Sequence, residues 1–314
     1  MVFSEGCADN NIMGLIPKSE GLLFEYLGHW LQSQELYDWS NKANPPSITQ
    51  TTVSNVKIPL PPLEEQRRIV AILDDALAGL ETAVANAEAN LKDAEELFRA
   101  HLNVTFSNAL EANQIPMRAD WEFAEIASFA HTSAGGTPLK SNKNYYEGGT
   151  IPWLLSGEVG VKEITKATNF ITELGLKESS AKLFPPDTVL IAMYGATAGE
   201  VGILRFEAST NQAVCAVLPS ARHLPEFIYY FLLHYKPDLI KKAAGSGQPN
   251  ISQAKIKSIN VPLPPIEQQR RIAAILDSSQ FQTDHLKKNI NYKISQLRDL
   301  KQSLLQKAFA GELT

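Results

Sequence analysis

The chain has 314 residues, of which 44% are hydrophobic, and a formal net charge of −5 at pH 7. This length accommodates two modest domains, or one domain with extended helices. No run approaches the roughly 18 apolar residues of a membrane span, and no secretory signal is visible. The two cysteines are isolated, which excludes a disulfide framework and a zinc site. We therefore expect a cytoplasmic protein without a membrane partner.

The first predicted elements are a short helix and a proline-rich helix start. Residues 21–38 show helical spacing of apolar side chains, and a polar loop follows them. Residues 58–74 then read IPLPPLEEQRRIVAILD. The prolines impose an extended backbone, and the glutamates fall in a first helical turn, where the helix dipole favours acidic groups. A helix is predicted to begin at residue 62.

The helix after this start is long. Its apolar positions alternate gaps of three and four, as in the heptads of a coiled coil, at Val70, Leu73, Leu77, Leu80, Val84, Ala87, Leu91, Ala94 and Phe98. A helix of about 45 residues spans roughly 70 Å, which is more than one globular domain needs. We interpret residues 62–116 as a spacer helix.

A globular region follows the first long helix. It carries aromatic residues, glycines and β-branched runs such as TVLIAMYGATAGEVGIL. This pattern is typical of short strands separated by glycine-containing turns. We predict a mixed α/β domain over residues 117–263.

The proline-rich helix start occurs twice. Residues 261–277 read VPLPPIEQQRRIAAILD and match residues 58–74 at 13 of 17 positions, at an offset of 203 residues. Such a period indicates a duplicated domain-sized unit. The same offset pairs Phe24 with Phe227 and Tyr26 with Tyr229. Residues 264–314 are predicted to form a second long helix.

Charge favours pairing of the two long helices. Residues 62–112 carry a balance of −6 and residues 265–314 a balance of +3. Opposite charges on the flanks of coiled coils favour association of unlike helices. The alternative is that each helix packs only on its own domain.

Several motifs together carry a family resemblance. They are the two helix starts LPPLEEQ and LPPIEQQ, GGTP at 135–138, MYGATAGEVGIL at 193–204, TNQAV at 210–214, GSGQPNISQAKIKSINVPLPP and the C-terminal LLQKAFAGEL. With these motifs the chain resembles the specificity subunit of a type I restriction–modification enzyme, and the resemblance covers essentially the whole sequence.

The resemblance implies an α+β fold and a non-catalytic role. Family members have two target-recognition domains, each reading half of a split DNA site, and two long helices. The helices pair as an antiparallel coiled coil, separate the domains like a ruler and dock adenine methyltransferase subunits. A restriction subunit joins through that complex. S-adenosylmethionine, ATP and magnesium would belong to these partners, and no cofactor to this chain.

In one respect the chain departs from the family pattern. Residues 1–61 correspond only to the C-terminal part of a first recognition domain, whereas residues 117–263 form a complete one. A natural shortening, a recombining gene cassette and a partial sequence all remain open. A homodimer that supplies two complete recognition domains is our hypothesis.

Candidate DNA contacts lie in glycine-containing turns and polar loops. Small residues allow close approach to the backbone, hydroxyl and amide groups can contact phosphates or base edges, and lysines neutralise phosphate. The candidates are Gly135, Gly136, Thr137, Lys140, Lys143, Tyr145, Tyr194, Thr197, Ser246, Gln248, Asn250 and Lys255. The alternative is that these segments are structural turns and solvated loops.

No catalytic or metal-binding arrangement is legible in the sequence. Three rival interpretations are kept. The chain could be a methyltransferase or nuclease itself, a truncated scaffold or silent recombination cassette without DNA specificity, or the specificity subunit of a fused restriction–methylation system.

Overall fold

The computed structural model describes residues 12–17, 20–111, 121–243 and 250–313, with the backbone alone over 107–111 and at 243. The α-helices are α1 (Phe24–Gln32), α2 (Gln50–Ser54), α3 (Leu63–Glu111), α4 (Ile126–Phe129), α5 (Glu173–Lys177), α6 (Pro225–Ala243), α7 (Gln253–Lys257) and α8 (Ile266–Ala310). The strands are β1 (Glu122–Glu125), β2 (Thr132–Ala134), β3 (Ile151–Leu154), β4 (Glu163–Ile164), β5 (Phe170–Ile171), β6 (Leu183–Phe184), β7 (Thr188–Ala192), β8 (Val201–Leu204), β9 (Ala208–Thr210), β10 (Val214–Val217) and β11 (Asn260–Leu263). The predicted α+β class and both long helices are confirmed.

The chain divides into two compact units. The first comprises residues 1–94 and 285–314, and the second comprises residues 95–284. Each long helix therefore contributes residues to both units.

In the first unit, the predicted heptad positions of α3 are buried or half-buried, and several of them pack against α8. Leu73 is fully buried in one apolar cluster with Leu305. Ala87 lies in a second cluster with Ile290 and Ile294. Burial of one apolar side chain contributes roughly 1.5–3 kcal/mol, so the seam stabilises the pairing.

Charged pairs give the direction of this pairing. Lys301 lies 3.1 Å from Glu81, and Arg298 lies 3.5 Å from Glu88. Numbering rises along α3 while it falls along α8, so the helices are antiparallel in this unit. Exposed ion pairs contribute at most about 1 kcal/mol each, so here they fix register more than stability.

The short helix of the first unit is shorter than the sequence predicted. Helix α1 covers Phe24–Gln32, and a 3₁₀ turn follows at Leu36–Trp39. The hydroxyl of Ser33 donates to the carbonyl of Trp30 at 2.7 Å. Such a bond offers the backbone an alternative to further helix. Trp30 then packs on Trp39 with ring centroids 5.6 Å apart.

The second unit is built on three sheets. A five-stranded sheet has the order β2-β10-β7-β8-β4, a four-stranded sheet the order β5-β3-β9-β6, and β1 pairs with β11. All five residues of β7 are buried. A short apolar run buried on both faces is typical of a central strand.

Helix α6 covers the core of the second unit together with part of α3. Pro225 occupies the first helical position, where its missing N–H costs nothing. Phe227 and Phe231 each pack edge-on against Phe106 of α3, at 5.6 Å between ring centroids. These ring contacts attach the C-terminal part of α3 to α6 within the second unit.

A network of ion pairs centred on Arg205 lies at the end of β8. Arg205 contacts Glu163, Asp187 at 2.5 Å and Glu226 at 2.5 Å. Hydrogen bonding to Glu163, and then to the other carboxylates, raises the pKa of Arg205 despite its partial burial. One guanidinium thus ties β4, the turn before β7 and the start of α6 to β8.

The structure corrects the alignment of the duplicated regions. The side-chain oxygen of Gln66 accepts the N–H of Leu23 at 2.9 Å, and that of Gln269 accepts the N–H of Leu224 at 2.8 Å. The long helices correspond at an offset of 203 residues, but α1 and α6 correspond at 201. The pairing of Phe24 with Phe227 and of Tyr26 with Tyr229 was therefore wrong by two residues, because the intervening loops differ in length.

Cys215 is buried, and burial raises the pKa of its thiol to about 12, so this cysteine is an inert part of the core. Within the described ranges, no helix combines the length and apolar character needed to cross a membrane.

Candidate functional site

Three predicted motifs meet at one edge of the five-stranded sheet. Strands β2 and β7 end at this edge and β10, which lies between them, begins there, since Cys215 pairs with Ala134 and Val214 with Ala192. The segments 135–138, 193–200 and 211–213 therefore leave the sheet side by side. We call these segments, together with Asn250, the recognition edge.

Main-chain hydrogen bonds hold the recognition edge together. The N–H of Gly135 donates to Val214 at 3.1 Å, and the N–H of Met193 donates to Ala213 at 2.7 Å. The N–H of Gly136 donates to the carbonyl of Thr210 at 2.9 Å. The edge is thus an extension of the sheet ladder and is rigidly positioned.

Gly135 and Gly136 are buried, and their close neighbours are protein atoms. A Cβ at Gly136 would lie 2.3 Å from the nitrogen of Ala181, and one at Gly135 would lie 2.1 Å from the hydroxyl of Thr210. The indole of Trp153 donates to the carbonyl of Gly136 at 3.0 Å. Packing alone therefore requires glycine at both positions.

Thr137 emerges from this packed turn beside Gln212. Its hydroxyl donates to the side-chain oxygen of Gln212, which is itself exposed. Gln212 belongs to the TNQAV motif but is not among the residues predicted to contact DNA. Its proximity to Thr137 depends on the pairing of β2 with β10, strands about 80 residues apart, and no local pattern indicates that pairing.

Tyr194 and Asn250 are brought together by the fold. They form an isolated antiparallel bridge, and the N–H of Ile251 donates to the carbonyl of Met193 at 2.9 Å. The Tyr194 side chain is 39% exposed, and Asn250 is exposed. Asn250 therefore presents an exposed side-chain amide at the edge, while its main chain forms the bridge to Tyr194.

The turn after Tyr194 needs glycine for its backbone. Gly195 and Gly199 have φ values of +75° and +81°, a region that glycine occupies without strain. Thr197 lies between them, half-buried, within 3.5 Å of the carbonyl of Tyr194. This tight turn directs Tyr194 and Thr197 to the same end of the sheet.

Lys140, Lys143 and Tyr145 follow the recognition edge in an exposed loop. The Lys143 side chain is 81% exposed and lies 3.8 Å from Glu147. The hydroxyl of Tyr145 donates to Glu178 at 2.9 Å. Neighbouring carboxylates reduce the local positive charge, so Lys140 and Lys143 offer a modest rather than a strong phosphate footprint.

Tyr146 anchors that loop to the edge. Its hydroxyl donates to the carbonyl of Pro138 at 2.5 Å, and its ring packs against Trp153. Burial raises the pKa of its hydroxyl. Tyr146 therefore attaches the loop to the turn that carries Thr137.

The last candidates lie around α7. Lys255 is exposed, and its ammonium donates to the carbonyl of Lys242 at 3.1 Å, at the end of α6. A cation favours a helix C-terminus, which gives Lys255 a structural contact as well. Ser246 and Gln248 lie outside the described residues.

The recognition edge carries polar and hydroxyl groups but no candidate catalytic cluster. In the part of the chain that the structure describes, no group of three or more histidine, cysteine or carboxylate side chains could hold a metal ion. What the edge can do chemically is donate and accept hydrogen bonds from a rigid frame.

Comparison with known proteins identifies the family. The model of the type I restriction modification DNA specificity domain matches residues 2–89 and 118–296. The EcoR124I/EcoR124II specificity subunit of Escherichia coli is 25% identical over 284 residues, which are 87% of this chain and 67% of that protein.

Solved structures agree with this match. A chain described in terms of complex assembly and conformational transition of the type I R-M system has a TM-score of 0.73 at 26% identity, over 92% of this chain and 68% of the other. The HsdS subunit of Thermoanaerobacter tengcongensis has a TM-score of 0.55 at 25% identity, over 92% and 70%. The chain thus spans about two thirds of the length of these relatives.

The relatives also bear on catalysis. The EcoR124I/EcoR124II and EcoKI relatives of Escherichia coli are both named as specificity subunits of type I restriction enzymes. The prediction of a non-catalytic chain is therefore confirmed, and the rival reading as a methyltransferase or nuclease is not supported. The protein is a type I restriction–modification specificity subunit and belongs to the family of the type I restriction modification DNA specificity domain.

Proposed function

We propose that the second unit reads one half of a split DNA site through the recognition edge. The observation that carries this proposal is the convergence of motifs from three separate parts of the chain, at residues 135–138, 193–200 and 211–213, on one rigid sheet edge. Amide and hydroxyl groups on such an edge suit base-edge and phosphate contacts.

The proposed division of labour follows the predicted boundaries. Residues 117–263 form the complete recognition domain, residues 1–61 the C-terminal part of another, and residues 62–116 and 264–314 the spacer helices. Ten side chains are proposed to contact DNA, namely those of Thr137, Lys140, Lys143, Tyr145, Tyr194, Thr197, Ser246, Gln248, Asn250 and Lys255. Gly135 and Gly136, the other two candidates, donate their N–H groups to the carbonyls of Val214 and Thr210, so they are proposed to act only by shaping the turn that carries Thr137.

The partners are proposals as well. Adenine methyltransferase subunits dock on the long helices, and a restriction subunit joins through them. S-adenosylmethionine, ATP and magnesium act in those subunits. Such a complex would work on cytoplasmic DNA. The excess of acidic residues lies mainly on α3, and the second unit is nearly neutral. A nearly neutral domain binds phosphate weakly by itself. This charge distribution therefore supports the proposal that partner subunits assist DNA binding.

Asn250 provides the sharpest test of the recognition edge. Asn250→Ala removes the exposed amide and keeps the main-chain bridge to Tyr194. A lost base-edge contact costs roughly 1–3 kcal/mol, so we expect specific affinity to fall by roughly 5- to 150-fold with non-specific affinity unchanged. The measurement is DNA binding by the methyltransferase complex, using duplexes selected from a random pool by the wild type.

Lysine variants supply the complementary comparison. Lys140→Ala with Lys143→Ala should weaken all duplexes uniformly and reduce the salt slope by about 1 per phosphate contact. Lys166→Ala, an exposed lysine on a different loop, is the matched control and should change neither quantity. If Asn250→Ala and the double lysine variant both bind like the wild type, neither the recognition edge at Asn250 nor the loop that follows residue 138 contacts DNA as proposed.

A further inference from the structure

A buried glutamine at the start of each long helix makes the same three contacts. The Gln66 amide donates to the carbonyls of Gly21 and Pro61, both at 2.8 Å, while its oxygen accepts from Leu23 at 2.9 Å. Both side-chain heteroatoms are therefore used, and the side chain is fully buried. All three partners are main-chain groups.

The second copy repeats this arrangement. The Gln269 amide donates to the carbonyls of Arg222 at 3.0 Å and Pro264 at 2.8 Å, and its oxygen accepts from Leu224 at 2.8 Å. Gln269 is likewise fully buried. In each copy the glutamine joins the residues just before the long helix to those just before the shorter helix, α1 or α6.

A second contact follows eight residues along each long helix. Asp74 lies 2.8 Å from the Nε2 atom of His29 on α1. In the second copy Asp277 accepts from Tyr230 of α6 at 2.5 Å and also pairs with Lys162. The aspartates occupy equivalent positions, yet one meets a histidine and the other a tyrosine. The attachment is thus retained while its chemistry differs.

Two attachments constrain orientation where one would permit rotation. Eight residues place the second contact about 12 Å further along the helix axis. The glutamine contacts are desolvated, and buried polar groups are costly to leave unpaired. Each helix start is therefore fixed in both position and direction against its shorter helix.

We infer that Gln66 with Asp74, and Gln269 with Asp277, are positioning residues that fix the angle at which each long helix leaves its globular region. The inference deepens the proposed function, because a recognition edge can read a defined half-site only if its domain is held at a defined angle on the spacer. Misplacement by about 1 Å can already cost two orders of magnitude in a precisely aligned site.

The test is a distance measurement inside the second unit of the full chain. Spin labels at Lys166→Cys and Gln282→Cys, both exposed, report the angle of α8 against the sheet. Cys7 is replaced by serine, and the buried Cys215 stays unlabelled. In Gln269→Met, which keeps the length and removes the hydrogen bonds, we expect a broadened distance distribution with a shifted mean. Arg271→Ala, whose side chain is 75% exposed, is the control and should keep the wild-type distribution.

Two further variants keep the inference falsifiable. Gln269→Glu retains the acceptor for Leu224 but lacks the donors and should give an intermediate width. Asp277→Asn, at a side chain that is 42% exposed, replaces Gln269→Met if the latter does not fold. A folded variant that loses stability yet keeps the wild-type distribution would show a merely structural role and overturn the inference. Because no DNA enters the measurement, its outcome is separate from that of the binding experiment above.

Discussion

Gly136→Ala is expected to destabilise the second unit by about 3 kcal/mol, the upper end of the usual cost of overpacking and a large share of a typical domain's stability of about 5–15 kcal/mol. The added Cβ would lie 2.3 Å from the main-chain nitrogen of Ala181 and equally close to the carbonyl carbon of Ser180. Main-chain atoms cannot move aside as a flexible side chain can. The turn that carries Thr137 must therefore shift, which also weakens the contact with Trp153.

Urea unfolding of the full chain at neutral pH measures this effect. Gly157→Ala is the matched control, since a Cβ there meets nothing within 4 Å and its φ is not positive. It should change stability by no more than about 0.5 kcal/mol. A Gly136→Ala variant as stable as the wild type would show that the close approach of the two turns is not real.

The second large effect is a loss of stability in acid that depends on His223. This side chain is 3% exposed; its Nδ1 atom lies 2.9 Å from the hydroxyl of Ser220, and its ring packs edge-on against Phe129. Within the described residues Nε2 has no hydrogen-bond partner. Burial lowers the pKa of His223 to about 4, because a charged ring would be poorly solvated there.

The direction of the effect follows from proton binding. Between pH 6.5 and pH 4 the unfolded chain holds more protons at this residue than the folded chain, so stability falls as pH falls. The expected loss is about 2 kcal/mol at pH 5 and about 3 kcal/mol at pH 4, relative to pH 7.5.

The measurement compares urea unfolding at pH 7.5 and pH 5 for the wild type and His223→Asn, which cannot titrate. The variant should lose less stability on acidification by about 2 kcal/mol. The same substitution at His131, which is exposed, should leave the acid sensitivity as in the wild type. An identical pH dependence for wild type and His223→Asn would contradict the assignment.

The long helices were predictable because their signal is local. Alternating gaps of three and four placed Leu73 and Ala87 on a buried seam, and both are buried there. The duplicated proline motif likewise marked each helix start. Ile69, which is also buried, was missed because it falls outside the strict heptad spacing.

The recognition edge was predictable only as separate motifs. GGTP, YGATAG and TNQAV were each noticed, but their meeting depends on the order β2-β10-β7, which pairs strands far apart in sequence. The glutamines of the helix starts belong to the repeated motif, but the sequence alone does not indicate their role. From sequence, a glutamine is normally predicted to be exposed. Gln66 and Gln269 are buried because main-chain groups form hydrogen bonds with their side chains, and those groups are known only from the structure.

Under the proposed function, this chain selects the DNA site that methyltransferase subunits modify. The most direct test is co-expression of the chain with the adenine methyltransferase subunit of the same system, followed by sequencing of methylated adenines in the modified DNA. We expect a split site, one half of which is altered or lost when the complex carries Asn250→Ala.

The symmetry of the methylated site distinguishes two arrangements of the complex. A split palindrome would show that two copies of the complete recognition domain act together, as in our homodimer hypothesis. An asymmetric split site would show that another chain supplies a second, different recognition domain. A stable complex that methylates no defined site would contradict the proposed function and identify the chain as a scaffold.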